Sequence, residues 1–322
     1  MNASTVLVTG GSGFLGGALL RTLASQKEYS LRTALRRDCK SLPASVRAFN
    51  VPGLTPTVDW QAALVDVDVV VHAAARVHVM DEQSGDPLTE FRLINVEGTL
   101  NLARQAVKAK VRRFIYISSI KVNGESTVPG RAFTADDPFS PVDPYGISKC
   151  EAEEALRQLV SSTSMELVII RPVLVYGPGV KANFLSMIRW LDRGVPLPFG
   201  AIVNKRSLVS LDNLIDLILT CFSHPAAANQ TFLASDGEDV STTELLMKIG
   251  RALNKPARLL PFPVAFMRLG AKLLGREAIA QRLFGSLQVD ISKNLRLLGW
   301  VPPMSLDQGL NATVQAYLES QK

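Results

Sequence analysis

The chain has 322 residues, 47% hydrophobic and 20% charged, which suits a folded protein of one large or two ordinary domains and excludes a disordered tail. Thirty-five basic against twenty-nine acidic residues give +6, too mild to imply nucleic acid. The excess is local: residues 251–300 hold nine basic and two acidic residues, which suits an acidic small molecule, an anionic surface or a solvated helix face.

In chain order, residues 5–8 read as a strand with no secretory signal before it, so a cytoplasmic enzyme is expected. A helix over 14–25 follows, then strands at 31–35 and 46–50. Next come a short helix at 60–65, a fully apolar strand at 67–72 and a long helix at 88–108. A strand at 113–118, a helix at 145–159 and a strand at 167–171 complete the first half. Apolar strands separated by helices predict an α/β fold with a doubly wound parallel sheet covered on both faces. After about residue 175 the pattern loosens at Pro178, Gly179, Gly194, Pro196 and Pro198. Helices are predicted at 184–192, 213–222 and 242–253, the last capped by Ser241. Residues 264–284 are apolar but dotted with Arg268, Lys272, Arg276 and Arg282. The expected organisation is a dinucleotide-binding domain over 1–175 and a smaller mixed substrate domain over 176–322. The boundary is soft, because the chain is free to return to the first sheet after residue 200.

Thr9, Gly10, Gly11, Ser12, Gly13, Phe14, Leu15 and Gly16 lie between the first strand and the first helix. Glycines at 11, 13 and 16 fit the G-x-G-x-x-G spacing of a Rossmann domain, and those at 10, 13 and 16 also fit G-x-x-G-x-x-G. They permit a tight turn and close approach of a pyrophosphate to a helix N-terminus. The strand–glycine–helix context is what gives the pattern weight. Where an NAD enzyme usually places an acidic residue, the second strand ends in Arg36 and Arg37, with Asp38 after them. An arginine fork suits a 2′-phosphate, so NADP(H) is favoured and NAD(H) remains possible. The alternatives are that Asp38 bends back to serve NAD, or that the arginines only face solvent.

Tyr145 and Lys149 are one helical turn apart. A phenol near pKa 10 is a poor acid or base at neutral pH, and a neighbouring ammonium is expected to lower it. Ser118 and Ser119 end the preceding strand, at the carboxyl edge where ligands bind in open parallel sheets. Asn95 is a polar side chain in an apolar helix and needs a partner. Three cysteines without a CxxC and three histidines without ligand spacing point away from disulfides and metal. No apolar run approaches the roughly 18 residues of a membrane span.

With these residues, the segments 72–75, 95–99, 118–124, 171–178, 206–212 and 290–300 resemble the extended short-chain dehydrogenase/reductase family over nearly the whole chain. Within it they resemble the NAD-dependent nucleotide-sugar epimerases, dehydratases and reductases. The resemblance implies a triad of Ser119, Tyr145 and Lys149 acting at a sugar C4 oxygen. It implies a cofactor surface of the loop 10–16, Ala73, Ala74, Ala75, Asn95, Tyr145, Lys149 and Pro172. Asn183 and Arg206 match positions that hold a nucleotide diphosphate, unless Asn183 is a cap and Arg206 a surface ion pair. Lys121 and His78 are expected near the sugar, although such a histidine is more often structural. The resemblance also implies a homodimer through the helices at 88–108 and 145–159.

The 4,6-dehydratases of the family carry Asp-Glu after the triad hydroxyl; Ile120 and Lys121 stand there instead. That argues against dehydration. The first reading is reduction of the C4 ketone of UDP-2-acetamido-2,6-dideoxy-4-keto-hexose, as in enzymes supplying surface polysaccharide such as O-antigen. The alternative is a UDP-sugar 4-epimerase with tightly bound NAD, and a third is a non-catalytic NADP-binding sensor. The segment 264–284 touches an anionic membrane, folds over the substrate or packs within the second domain, the last two being favoured.

Overall fold

The computed structural model describes residues 4–37, 39, 41–77, 86–128, 130–275 and 277–321. In chain order the first half runs β1 (Ser4–Thr9), α1 (Phe14–Gln26), β2 (Tyr29–Leu35), β3 (Val46–Asn50), α2 (Gln61–Leu64) and β4 (Val69–His72). It continues with α3 (Pro87–Phe91), a π-helical stretch (Arg92–Gly98), α4 (Thr99–Lys108), β5 (Arg113–Ile117), α5 (Pro144–Val160) and β6 (Glu166–Pro172). The second half runs β7 (Leu174–Tyr176), α6 (Ala182–Asp192), β8 (Arg206–Ser210), α7 (Leu211–Ser223), β9 (Gln230–Ala234) and β10 (Asp239–Val240). Helices α8 (Thr242–Ala252), α9 (Val264–Leu273), α10 (Glu277–Phe284), α11 (Ser292–Leu298) and α12 (Leu306–Glu319) complete it.

Seven strands form one parallel sheet in the order β3-β2-β1-β4-β5-β6-β9. The central strands are apolar on both faces because both are covered. Val6, Val8 and Ile115 face the side closed by α1 and α7 with Leu19, Leu23, Leu214 and Ile218. Leu7, Phe114 and Tyr116 alternate to the other side, against Leu102, Ala103 and Leu156 of α4 and α5. Strand β9 brings the chain back to the sheet edge beside β6 after β7 and β8 have paired, and β10 then adds to β8 to complete a small sheet, β10-β8-β7. A third core of Tyr176, Phe184, Ile188, Leu246 and Leu310 lies under that sheet.

The predicted long helix at 88–108 is three pieces. The middle one widens to π-helical turns, which are frequent at functional sites. Gly98 closes it where a Cβ would come within 2.7 Å of the Leu54 carbonyl oxygen. The strand predicted to end at Ser118 ends at Ile117.

Candidate active site

The carboxyl ends of β1, β2, β4 and β5 share one edge, and the candidate residues sit along it. At Gly10 φ is +76°, and a Cβ there would approach the Ala74 nitrogen to 2.9 Å. Only glycine fits both the left-handed turn and this contact. The Gly13 N–H donates to the Gly10 carbonyl at 2.8 Å, and α1 then starts with no side-chain cap and no acidic residue in its first turn. Its free N–H groups and positive end therefore face outward, over the exposed Ser12 and Gly13, where an anion is stabilised. This cradle fits a pyrophosphate. Phe14 and Leu15 are half-buried behind it, and Arg36 and Arg37 leave the end of β2 exposed. Asp38 and His78 lie outside the described residues.

A hydrogen-bond path joins the glycine loop to α5. The Ala74 N–H donates to Thr9 Oγ1 at 3.3 Å, and half-buried Ala73 and Ala75 flank it. The Arg76 N–H donates to Asn95 Oδ1 at 2.8 Å, while Asn95 Nδ2 donates to the Arg76 carbonyl and to Ser148 Oγ, both at 3.0 Å. Ser148 in turn donates to the Tyr145 carbonyl at 2.8 Å. Asn95 is thus the partnered polar side chain that the helix required, and it ties the strand-end loop to the turn carrying Tyr145.

Asp143 caps α5, accepting from the Gly146 N–H at 2.6 Å, with Pro144 in the first turn. The Lys121 ammonium pairs with Asp143 and with Glu125, and the backbone at Gly146 packs against the Lys121 carbonyl. This draws the segment carrying Ser119 onto the start of the tyrosine helix. Tyr145 meets the Phe91 ring edge-on, with centroids 6.0 Å apart. Burial pushes its phenol up to about 12, with Asp143 adding to the effect. Lys149 is buried, donates to the Ile117 carbonyl at 2.7 Å and lies 4.2 Å from the Tyr116 ring centre. Burial lowers its amine to about 7 against the opposing pull of Glu153. The expected depression of the phenol by the neighbouring ammonium is absent: burial and then Asp143 raise it, and burial holds the Lys149 amine itself low.

The two serines separate cleanly. Ser118 is buried and donates to Glu153 at 2.5 Å. Ser119 is half-buried, its Oγ accepting only a long 3.3 Å bond from the Lys121 N–H, so it is the one available to a ligand. Glu153 also accepts from Arg171 at 2.7 and 2.9 Å and from Arg157 at 3.2 Å. This buried network was not singled out in the sequence. Its signals were an arginine closing an apolar strand and a carboxylate one turn beyond Lys149. His72 was likewise missed as a site residue. Its ring nitrogens lie 2.7 Å from Thr9 Oγ1 and 2.9 Å from Thr99 Oγ1, and burial, then Lys149, lowers it to about 3, so it is a neutral strut.

Pro172 ends β6 beside β9. Arg206 belongs to a second group: it donates to the Gly285 carbonyl at 3.0 Å, and burial, then Arg282, lowers its pKa. Asn183 is exposed in the first turn of α6. Neither is linked by a direct contact to the Tyr145 group among the described residues. Among those residues no cluster of His, Cys, Asp or Glu is placed to hold a metal, and no helix is long and apolar enough to cross a membrane.

The family model described as the NAD dependent epimerase/dehydratase family matches residues 6–234. A UDP-glucose 4-epimerase of Vibrio cholerae is 49% identical over 98% of this chain and 96% of its own. An Escherichia coli O157:H7 N-acetyl-alpha-D-glucosaminyl-diphospho-ditrans,octacis-undecaprenol 4-epimerase is 28% identical over 96% of this chain and 94% of its own. The solved structure of Bacillus cereus UDP-glucuronic acid 4-epimerase in complex with NAD superposes with a TM-score of 0.80 at 22% identity, covering 99% of this chain and 100% of that one. At that identity the likeness speaks for the fold.

Proposed function

The chain belongs to the NAD dependent epimerase/dehydratase family, and from that premise we propose that it is an enzyme carrying out redox chemistry at C4 of a UDP-linked sugar. The first reading is 4-epimerisation, and the observation that carries it is the Vibrio cholerae UDP-glucose 4-epimerase, alike along almost the full length. The dinucleotide, when bound, supplies the hydride acceptor and donor. The glycine loop 10–16 and α1 hold its pyrophosphate, and Ala73, Ala74, Ala75 and Pro172 line its path.

Tyr145 Oη gives its own proton to the neutral Lys149 amine as it takes that of the C4 hydroxyl when the carbon is oxidised, and the transfers reverse when the ketone is reduced. Ser119 Oγ donates to the same oxygen. Lys149, whose amine is held near neutrality, exchanges its charge with little cost and sits one turn from the phenol. Lys121, Asn183 and Arg206 bind the nucleotide sugar. Where the family's 4,6-dehydratases carry a carboxyl pair, this chain has buried Ile120 and the cation Lys121, and neither supplies the carboxylic acid or carboxylate for elimination across C5 and C6.

A second reading, reduction of the C4 ketone of a UDP-linked 6-deoxy amino sugar by NADPH, is favoured by two observations. Arg36 and Arg37 stand exposed beside the cofactor loop, and burial keeps Tyr145 protonated, the state from which a ketone oxygen is protonated.

Two assays separate the readings. Stoichiometric NAD released on denaturing the purified protein, with UDP-glucose or UDP-N-acetylglucosamine converted to its C4 epimer, is the expected result for the epimerase. Rapid loss of NADPH absorbance with UDP-2-acetamido-2,6-dideoxy-4-keto-glucose, and no epimer, assigns the reductase. In that case Arg36→Ala/Arg37→Ala raises KM for NADPH more than for NADH. Inactivity in both assays overturns the C4 proposal.

A further inference from the structure

Helix α9 is apolar on two opposite faces. Its inner face, Val264, Met267 and Ala271, packs on Ile202, Ala280 and Phe284. Across the helix lies a second stripe, Phe266, Leu269 and Leu273 at helical spacing, extended by Phe262 just ahead of it. These four are 63%, 55%, 80% and 45% exposed, and no residue of α9 is fully buried. The Phe262 and Phe266 rings meet with centroids 6.2 Å apart, so the head of the stripe is already ordered. Val203, 89% exposed, stands on the Arg268 flank of the helix, across a cavity of about 500 Å³ bordered by Ala265, Arg268 and Phe284. A contiguous apolar surface of this kind marks a contact with something outside the molecule.

Charge decides what that something is. The flank between the two faces carries Arg268 and Lys272, one turn apart and exposed. Arg268 gives one long hydrogen bond, 3.4 Å to the Phe284 carbonyl, and neither cation has an ion-pair partner among the described residues. Residues 251–275 contain five basic residues and no Asp or Glu. A second copy docking across a two-fold axis would set these cations against themselves. An apolar stripe flanked by unpaired cations instead matches the boundary between headgroups and acyl chains of an anionic bilayer.

We propose that this face docks on an anionic lipid surface. The stripe from Phe262 to Leu273 enters the headgroup boundary, and Arg268 and Lys272 meet lipid phosphates. The helix is about 15 Å long, enough to lie in the surface and too short to span it.

The full-length protein is floated with vesicles of phosphatidylcholine alone or with one-third phosphatidylglycerol. The expected result is binding to the anionic vesicles that falls with salt and is at least about tenfold weaker on neutral ones. Phe266→Glu/Leu269→Glu and Arg268→Glu/Lys272→Glu each lower the bound fraction by at least about tenfold while leaving the unfolding temperature and dinucleotide binding unchanged. Wild-type protein that ignores both vesicle types, or variants that float like wild type, overturn the proposal. Wild-type dimers that ignore vesicles and dissociate on Phe266→Glu/Leu269→Glu overturn it in favour of a second copy.

Discussion

The crevice edge of the parallel sheet and the outer face of α9 invert the usual rule of polarity in opposite directions. At the crevice, Lys149, Glu153 and Arg171 are buried; on α9, phenylalanine and leucine are exposed. The buried charges are satisfied from within: Glu153 accepts from Ser118, Arg157 and Arg171, and Lys149 donates to Ile117. The exposed apolar stripe finds no such partner inside the fold. A buried charge paired internally holds a site in one geometry, because removing either member strands the other. An exposed apolar residue contributes little to folding and is free to serve contact.

Four substitutions probe that contrast, from the largest expected effect to the smallest. Tyr145→Phe removes the proton-transfer group and lowers kcat by about 10²–10⁴-fold, with dinucleotide binding by fluorescence titration nearly unchanged. Retained turnover would strip the crevice of its catalytic reading. Arg171→Met leaves the Glu153 carboxylate buried beside a single partially exposed arginine, Arg157, and costs about 3–5 kcal/mol in denaturant unfolding. A loss below about 1 kcal/mol would mean that the internal network is not what holds the crevice.

The third test is pH. The folded Lys149 amine titrates at about 7 and its unfolded counterpart at 10.5. Between those values the unfolded chain binds the extra proton, so stability rises with pH, by up to about 1.4 kcal/mol per unit. Tyr145, raised from 10.0 to about 12, works the other way only above about pH 10, where the unfolded phenol ionises first. From pH 7 to 9 the wild type should therefore gain about 2 kcal/mol more than Lys149→Met, read by thermal unfolding at the two pH values. Parallel profiles for the two proteins would show that burial of Lys149 does not depress its amine. The smallest effect belongs to α9: Leu269→Ser should change unfolding free energy by less than about 0.5 kcal/mol, whereas a core leucine truncation costs several times more. A large loss there would show that the stripe packs inside the fold after all.

Much of this was legible in the sequence because it is local. Short continuous apolar runs and period-3.6 patterns placed most sheet strands and helices within a few residues, and Gly10 to Gly16 carry their turn in their own backbone preferences. Tyr145 and Lys149 face the same way because four residues make one turn. The π-helical middle of 88–108 was not legible, since apolar periodicity does not distinguish a widened helical turn from an α-helical one. The expectation that Lys149 lowers the Tyr145 pKa failed for a related reason: spacing shows proximity but not desolvation.

The sequence by itself determined most of the parallel sheet, the glycine turn ahead of α1 and the helix carrying Tyr145 and Lys149, because each rests on interactions within a few residues or on patterning that an element's faces must satisfy. Only the tertiary structure decided that Ser118 is committed to Glu153 and Ser119 is available, that Asn95 links the Arg76 loop to the tyrosine turn, and that Lys121 pairs with the cap of α5. Most of those contacts join residues far apart in the chain. Which atoms meet, and which are removed from water, is set by how the layers pack.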